Sequence, residues 1–170
     1  MNSRRRSPWK WSLPGIVLVA LIAAFFNPPS QDVISGDLAF VQRVVDGDTL
    51  LLGTGERVRL IGVDTPETKR PNTPVQYFGK EATAFTRRMV EGKRVRLGFD
   101  PANAHLKHRD RYGRTLAYVF LEDGTLLNSE IIRQGYGFAM TQYPFARMDE
   151  FRRLEREARE QRRGLWNSGP

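Results

Sequence analysis

The chain places several short β-rich runs ahead of its helical runs, and this order most restricts the folds open to it. The runs are rich in Val, Leu and Ile, and Gly53-Thr54-Gly55-Glu56 has the composition of a hairpin turn. The five predicted strands cover residues 38–45, 49–52, 57–63, 93–99 and 115–121. Strands followed by helices are typical of an α+β domain. The pattern predicts a small, partly open β-barrel flanked by helices.

About three helices are predicted beside these strands. Residues 78–90 have apolar side chains at helical spacing, and residues 128–133 form a short helical run that we predict to be capped by Asn128. An apolar stripe over residues 148–158 marks the last helix. Arginines and glutamates alternate on its other positions, which is more typical of a solvated ion-pair face than of a nucleic-acid groove.

Length and composition allow one domain and exclude several kinds of chemistry. The chain has 170 residues and a net charge of +8, and the first thirty residues supply four of its basic groups and no acid. The remainder carries 23 basic and 19 acidic residues, a moderate excess that favours a polyanionic partner without proving one. Cysteine is absent, which excludes disulfides, thiolate metal sites and cysteine nucleophiles.

The N-terminal part reads as a targeting or anchoring segment. Residues 1–12 are basic, residues 13–26 form an uncharged apolar run, and residues 27–37 have the composition of a linker before a domain that spans residues 38–168. The small residues expected before a signal-peptidase site are missing, so an uncleaved signal anchor is favoured over a cleaved signal peptide. Basic residues that flank a membrane-inserted segment stay on the cytoplasmic side, which places residues 1–12 there. The domain is therefore expected outside the cytoplasm, periplasmic or extracellular on a membrane anchor, or secreted after cleavage.

Two acidic clusters follow β-like runs. Asp46-Gly47-Asp48 and Asp64-Thr65-Pro66-Glu67 are each, taken alone, as consistent with ordinary turns as with a site. If residues 49–52 pair with residues 57–61 in a hairpin, both clusters lie at the same end of that ribbon. Converging carboxylates with a backbone carbonyl make an oxygen-only site, which suits Ca²⁺ or Mg²⁺.

A third motif, Asp110-Arg111-Tyr112-Gly113-Arg114, makes a family resemblance specific. Together with Asp46-Gly47-Asp48-Thr49 and the stretch from Arg59 to Thr68, it occurs in the order and at the approximate spacing of the thermonuclease family, the staphylococcal-nuclease-like domains. The segment that resembles this family runs from about Val41 to Trp166. The resemblance implies an OB-fold, a five-stranded Greek-key barrel. It also implies a Ca²⁺-dependent phosphodiesterase that hydrolyses DNA and RNA by metal-assisted attack of water and leaves 3'-phosphate ends.

The same resemblance assigns roles to the acidic residues. Asp48 and Asp64 match the carboxylate ligands of Ca²⁺, and the carbonyl of Thr65 matches a further oxygen ligand. Glu67 matches the carboxylate that orients or deprotonates the attacking water, as general base or as electrostatic organiser. Asp46 matches an aspartate that lies near the metal.

Basic and aromatic residues complete the implied site. Arg59 and Arg114 resemble the pair that holds the scissile phosphate, for which planar guanidinium groups are suited. Arg111 and Tyr112 match positions that contact the terminal phosphate of a bound nucleotide. Tyr143 matches a tyrosine that stacks on a base.

Alternative functions remain open at the level of sequence. The barrel can serve as a non-catalytic module that binds nucleic acid or protein, or as a scaffold for a membrane-tethered interaction domain. Retention of the acidic and arginine positions argues for the enzyme. His105 and His108 lie three residues apart, a spacing that suits a transition metal as well as a solvated loop, and no third ligand is evident. A monomer is the default expectation.

Overall fold

The fold is described from a computed structural model, which covers residues 33–34, 37–68 and 74–167. The predicted basic region 1–12 and apolar segment 13–26 lie outside the described residues, as does most of the predicted linker. Within that linker, residues 33–34 form a two-residue strand. None of the helices in the described part of the chain is long and apolar enough to cross a membrane.

Five strands close into a barrel. Going round it, β2 pairs with β3, β3 with β4, β4 with β7, β7 with β6, and β6 again with β2. The β4–β7 pairing is parallel and the others are antiparallel. Outside the ring, β1 pairs with β6, and β5 pairs with β8. The strands of the described residues are β1 Val33–Ile34, β2 Ala39–Asp46, β3 Thr49–Leu52, β4 Arg57–Leu60, β5 Val63–Asp64, β6 Arg94–Phe99, β7 Thr115–Leu121 and β8 Phe138–Ala139.

Three α-helices pack on this barrel: α1 Gly79–Val90, α2 Leu127–Arg133 and α3 Met148–Glu160. Two 3₁₀ segments, Pro101–Leu106 and Gly164–Trp166, complete the described elements. This arrangement confirms the predicted α+β class and the OB-type barrel with about three helices. On α3 the alternating charges form ion pairs, such as Arg153 with Glu157 at 2.6 Å and Arg159 with Glu155 at 2.7 Å.

Alternation along the strands creates the core. In β4, Val58 and Leu60 are buried whereas Arg57 is exposed and Arg59 lies between those extremes. Successive side chains on a strand point to opposite faces, so the apolar pair fills the barrel and the arginines face outward. Each fully buried Val or Leu contributes about 1.5–3 kcal/mol relative to exposure. The charged residues of β4 are thus presented by a rigid, well-packed strand.

Two features differ from the sequence prediction. The run 57–63 is broken: β4 ends at Leu60, and Gly62 has φ +71°, a conformation that L side chains rarely adopt. Asn128, predicted as a helix cap, lies inside α2, whose N-cap residue Leu126 has no side-chain capping bond. The side-chain amide of Asn128 is buried and forms hydrogen bonds with the backbone of the barrel at Val119 and Ile61. The polar residue that suggested a helix cap therefore joins the helix to the barrel.

Candidate active site

The turn between β2 and β3 carries the first acidic cluster. Asp46 and Asp48 are each only 8% exposed, and Gly47 separates them. A Cβ atom at Gly47 would lie 2.7 Å from the Thr65 hydroxyl oxygen, so only glycine allows this turn to pack against the segment after β5. The β3–β4 hairpin places Thr49 opposite Arg59. The two acidic clusters therefore meet, as the hairpin argument predicted.

Arg59 contacts both predicted metal-binding carboxylates. Its guanidinium Nη1 forms a close ion pair with Oδ2 of Asp48, and its Nη2 donates to Oδ1 of Asp64 at 3.2 Å. The side chains of Arg59 and Asp48 are both 11% exposed, whereas that of Asp64 is 55% exposed. The backbone N–H of Thr65 donates to Asp48 Oδ2 at 3.1 Å and its hydroxyl does so at 3.2 Å. Asp48, Asp64, Thr65 and Arg59 thus form one cluster.

The charge balance of this cluster suits an added cation. Burial raises the pKa of Asp64 above its usual value; the charge of Arg59 works against this effect and that of Asp48 adds to it. The single positive charge of Arg59 only partly neutralises the two carboxylates, so a repulsion between Asp48 and Asp64 remains. Carboxylate oxygens are the ligands that hard divalent cations prefer. Among the described residues, no group of three or more His, Cys, Asp or Glu side chains is arranged to hold a metal. The expected set needs only two carboxylates and a carbonyl.

Glu67 belongs to a second network, centred on Asp46. The carboxylate of Asp46 accepts from the Gly47 N–H at 2.9 Å, the Thr68 hydroxyl at 2.9 Å and the Thr83 hydroxyl at 3.1 Å. Its pKa is lowered: burial alone would raise it, but hydrogen bonds, foremost that with the Glu67 side chain, outweigh burial. The Glu67 backbone N–H donates to the Gln76 side chain at 2.7 Å. These contacts position Glu67 from both sides.

Arg114 reaches the cluster from the start of β7. Its Nε donates to Asp110 Oδ2 at 2.6 Å, and its Nη1 lies 3.5 Å from the Thr49 hydroxyl, which itself donates to Asp48 Oδ1 at 2.9 Å. Asp110 also accepts from the backbone N–H of Tyr112 at 2.9 Å. Asp110 therefore holds the turn that presents Arg114. Asp110 received no role from the sequence, although its place at the head of the third motif is a signal for one.

Arg111 and Tyr112 lie at the exposed side of the same turn. Tyr112 is 68% exposed, and its ring is approached by the guanidinium groups of Arg111 at 4.9 Å and Arg114 at 5.3 Å. Both guanidinium groups lie within about 6 Å of the ring centroid, the range in which a cation is attracted to an aromatic face. Tyr112 thus lies against Arg114, with Arg111 on the same ring, and the roles assigned to Arg111 and Tyr112 stay predictions.

The remaining candidates lie apart from this network. Tyr143, between β8 and α3, is 64% exposed, and within the described part of the chain it has no hydrogen bond or ring contact with the cluster. His105 lies in the first 3₁₀ segment, and the ring of His108 packs at 5.0 Å from that of Phe99. The suggestion that the two histidines hold a metal receives no support from the described residues.

Fold and site together define a class of protein: an OB-type barrel that carries an acidic, arginine-rich cluster suited to phosphodiester chemistry. The family described as staphylococcal nuclease homologue matches residues 57–168. The thermonuclease of Staphylococcus intermedius is 40% identical over 163 residues, with 89% of this chain and 92% of its own length covered. That of Staphylococcus hyicus is 39% identical over 132 residues, with 75% of each covered.

A more distant relative widens the comparison. The protein named endonuclease YncB of Bacillus subtilis (strain 168) is 36% identical over 135 residues, which cover 75% of this chain and 60% of that protein. The chain belongs to the family of staphylococcal nuclease homologues.

Proposed function

We propose that this nuclease hydrolyses phosphodiester bonds of DNA and RNA in a Ca²⁺-dependent reaction and leaves 3'-phosphate ends. Family membership supports the class of reaction, and the names of the relatives, thermonuclease and endonuclease, support the substrate class. One observation carries the proposal furthest. Arg59 contacts both Asp48 and Asp64. A cation held by these two carboxylates would therefore lie beside the Arg59 guanidinium, and both positive groups would face the same phosphate.

Asp48, Asp64 and the carbonyl of Thr65 are the residues that would hold Ca²⁺. When bound, the ion would supply a positive charge to offset the charge that grows on the phosphate oxygens. The chain's own contribution is positioning. Arg59 lies between the two carboxylates, and Arg114 is fixed by Asp110 on the other side of Thr49. One guanidinium group from β4 and one from the turn before β7 can therefore clamp one phosphate.

Glu67 would accept the proton of the attacking water or orient that water. The backbone N–H of Thr68 donates to its Oε1 at 3.2 Å, and its own backbone N–H donates to the Gln76 side chain, so its carboxylate is positioned relative to the cluster before substrate binds. A positioned carboxylate that acts on water contributes about 10²–10⁴-fold to the rate. Electrostatic organisation of the water would need the same placement.

The test is cleavage of a fluorescently quenched single-stranded DNA by the parent protein and a Glu67→Gln variant, with Ca²⁺ and with chelator. Turnover is expected only with Ca²⁺, and we expect kcat of the variant to fall by about 10²–10⁴-fold. Glu81→Gln is the matched control, because Glu81 is an exposed residue of α1. Binding of the strand without any turnover by the parent would instead favour the non-catalytic module.

We further propose that the domain works outside the cytoplasm as a monomer. The basic residues 1–12 and the apolar run 13–26 support an uncleaved anchor, with secretion as the outcome if the segment is removed. Fractionation of producing cells, followed by measurement of the mass of the chain, distinguishes the uncleaved anchor from the cleaved, secreted form. Full-length chain in the membrane fraction supports the anchor, a shortened soluble chain supports secretion, and activity confined to the cytoplasm contradicts both.

A further inference from the structure

A polar surface pocket of about 550 Å³ lies beside the predicted phosphate clamp. Glu56 and Arg57 line it from the β3–β4 hairpin, and Arg109, Tyr112 and Arg114 line it from the turn before β7. Three arginines thus face one glutamate. The sequence motifs assigned roles to Tyr112 and Arg114, but Arg57 and Arg109 received none.

The charges of the pocket are unevenly compensated. Arg109 donates to the Gly113 carbonyl at 2.8 Å and to Glu56 at 3.2 Å, and Glu56 also accepts from the Thr115 hydroxyl. The one acid of the pocket is therefore already engaged. Arg57 is exposed, and among the described residues no acid pairs with it. The pocket keeps a net positive charge directed at solvent.

Arg57 also has a fixed relation to the active site. It precedes Arg59 by two residues on β4, and the buried Val58 and Leu60 confirm that both arginines share the outward face. Two residues along a strand span about 6.6 Å, a distance that can separate neighbouring phosphates of an extended strand. Across the parallel β4–β7 pair, Val58 lies opposite Thr115, which places Arg57 next to the turn that carries Arg114.

We propose that this pocket binds a phosphate of the substrate strand other than the one being cut, with Arg57 as its principal contact and Arg109 as the opposite wall. The inference rests on the proposed function, since it extends the nucleic-acid footprint of the same site. The packed strand fixes the backbone position of Arg57, and the planar guanidinium fork loses little freedom for each hydrogen bond that it forms with a phosphate. Longer strands would therefore bind more tightly than a dinucleotide, whose single phosphate is taken by Arg59 and Arg114.

The test uses the full chain and a labelled single strand of about twelve nucleotides, within the span that OB-folds cover. Binding is measured by fluorescence anisotropy in chelator over a series of salt concentrations. Loss of one phosphate contact is expected to reduce the slope of log K against log salt by about 0.7 and to weaken binding about fivefold at 0.1 M salt. We expect this of Arg57→Gln, whereas Arg57→Lys keeps most of the slope.

The matched control is Arg156→Gln, because Arg156 is an exposed arginine of α3 outside the pocket. An unchanged slope for Arg57→Gln, an equal loss for Arg156→Gln, or no binding by the parent at the lowest salt overturns the proposal. With Ca²⁺, Arg57→Gln is expected to raise KM for the longer strand about fivefold and to leave kcat, and KM for a dinucleotide, unchanged. Failure of the parent to cleave would contradict the proposed function alone, since the binding measurement still reports on the pocket.

Discussion

Arg59 has two acidic partners of different exposure, and this difference matters for stability. The nearly buried Asp48 is paired by Arg59 and by both donors of Thr65, whereas the half-exposed Asp64 receives one hydrogen bond from Arg59. Burial raises the pKa of Asp64, so its ionised form is less favourable in the folded chain than in the unfolded one at neutral pH. If these carboxylates hold a cation as proposed, their placement costs some stability in its absence.

Asp64→Asn is expected to separate stability from ion binding. Without Ca²⁺ the free energy of unfolding stays unchanged or rises, because the amide oxygen still accepts from Arg59 and the repulsion by Asp48 is gone. The stabilisation that Ca²⁺ gives the parent, about 1.4 kcal/mol at tenfold excess over Kd, is expected to disappear. Denaturant unfolding with and without Ca²⁺ measures both quantities. A variant that keeps the full Ca²⁺ effect would remove Asp64 from the ligand set.

Residue types at the site could be read from the sequence, but their pairings could not. The three motifs supplied Asp48, Arg59 and Arg114 as candidates, and the hairpin register brought them together. That Thr68 donates to both Asp46 and Glu67, and that Asp110 holds Arg114, depends on loop geometry with no periodic signal. The assigned roles stay predictions.

At the scale of elements, α2 is joined to the barrel by a buried amide. Asn128 accepts from the Val119 N–H of β7 at 2.9 Å and donates to the Ile61 carbonyl after β4 at 2.9 Å. It also lies 3.4 Å from the Ala117 carbonyl. One side chain thereby satisfies the Val119 N–H and the Ile61 carbonyl, which lie just beyond the last residues of the parallel β4–β7 pair.

Asn128→Ala is expected to lower the free energy of unfolding by about 2–4 kcal/mol, because it leaves a buried donor and a buried acceptor unpaired. Asn128→Asp is the informative comparison, since its ionised carboxylate still accepts from Val119 but cannot donate to Ile61. Chemical denaturation of both variants gives their free energies of unfolding. At denaturant concentrations well below the unfolding transition, the kcat of each variant is expected to stay near that of the parent. A loss under 1 kcal/mol for Asn128→Ala would mean that water replaces the amide.

Strand prediction succeeded where side chains alternate and failed where the backbone turns. Residues 49–52 and 115–121 form strands with the predicted bounds, because their apolar runs are closed by clear turn residues. The run 57–63 was predicted as one strand, but Gly62 lies against Phe145 and Phe151 and divides it into β4 and β5. These contacts join Gly62 to residues more than eighty positions away in the chain, so the break in the strand could not be predicted from the sequence of residues 57–63 alone.

Across the whole molecule, the core and the site are separate. The apolar core fills the barrel and the space beneath the helices, and the acidic cluster lies at the end of strands whose inward faces are already packed. A substitution at the half-exposed Asp64 is therefore compatible with folding, whereas loss of Asp48 or Arg59 leaves the other charge nearly buried and without its partner. This separation makes the loss of activity in site variants interpretable as chemistry, provided that their unfolding transitions match that of the parent.

The proposed Ca²⁺ requirement connects the site to the compartment proposed for the domain. Two carboxylates and a carbonyl are few ligands, and sites of this kind in extracellular modules bind Ca²⁺ with Kd of about 10⁻⁴–10⁻³ M. Half-maximal cleavage is therefore expected at about 0.1–1 mM free Ca²⁺, which keeps the enzyme idle in the cytoplasm and active outside it. Cleavage rates in calcium buffers test this, and full activity at micromolar Ca²⁺ would contradict it.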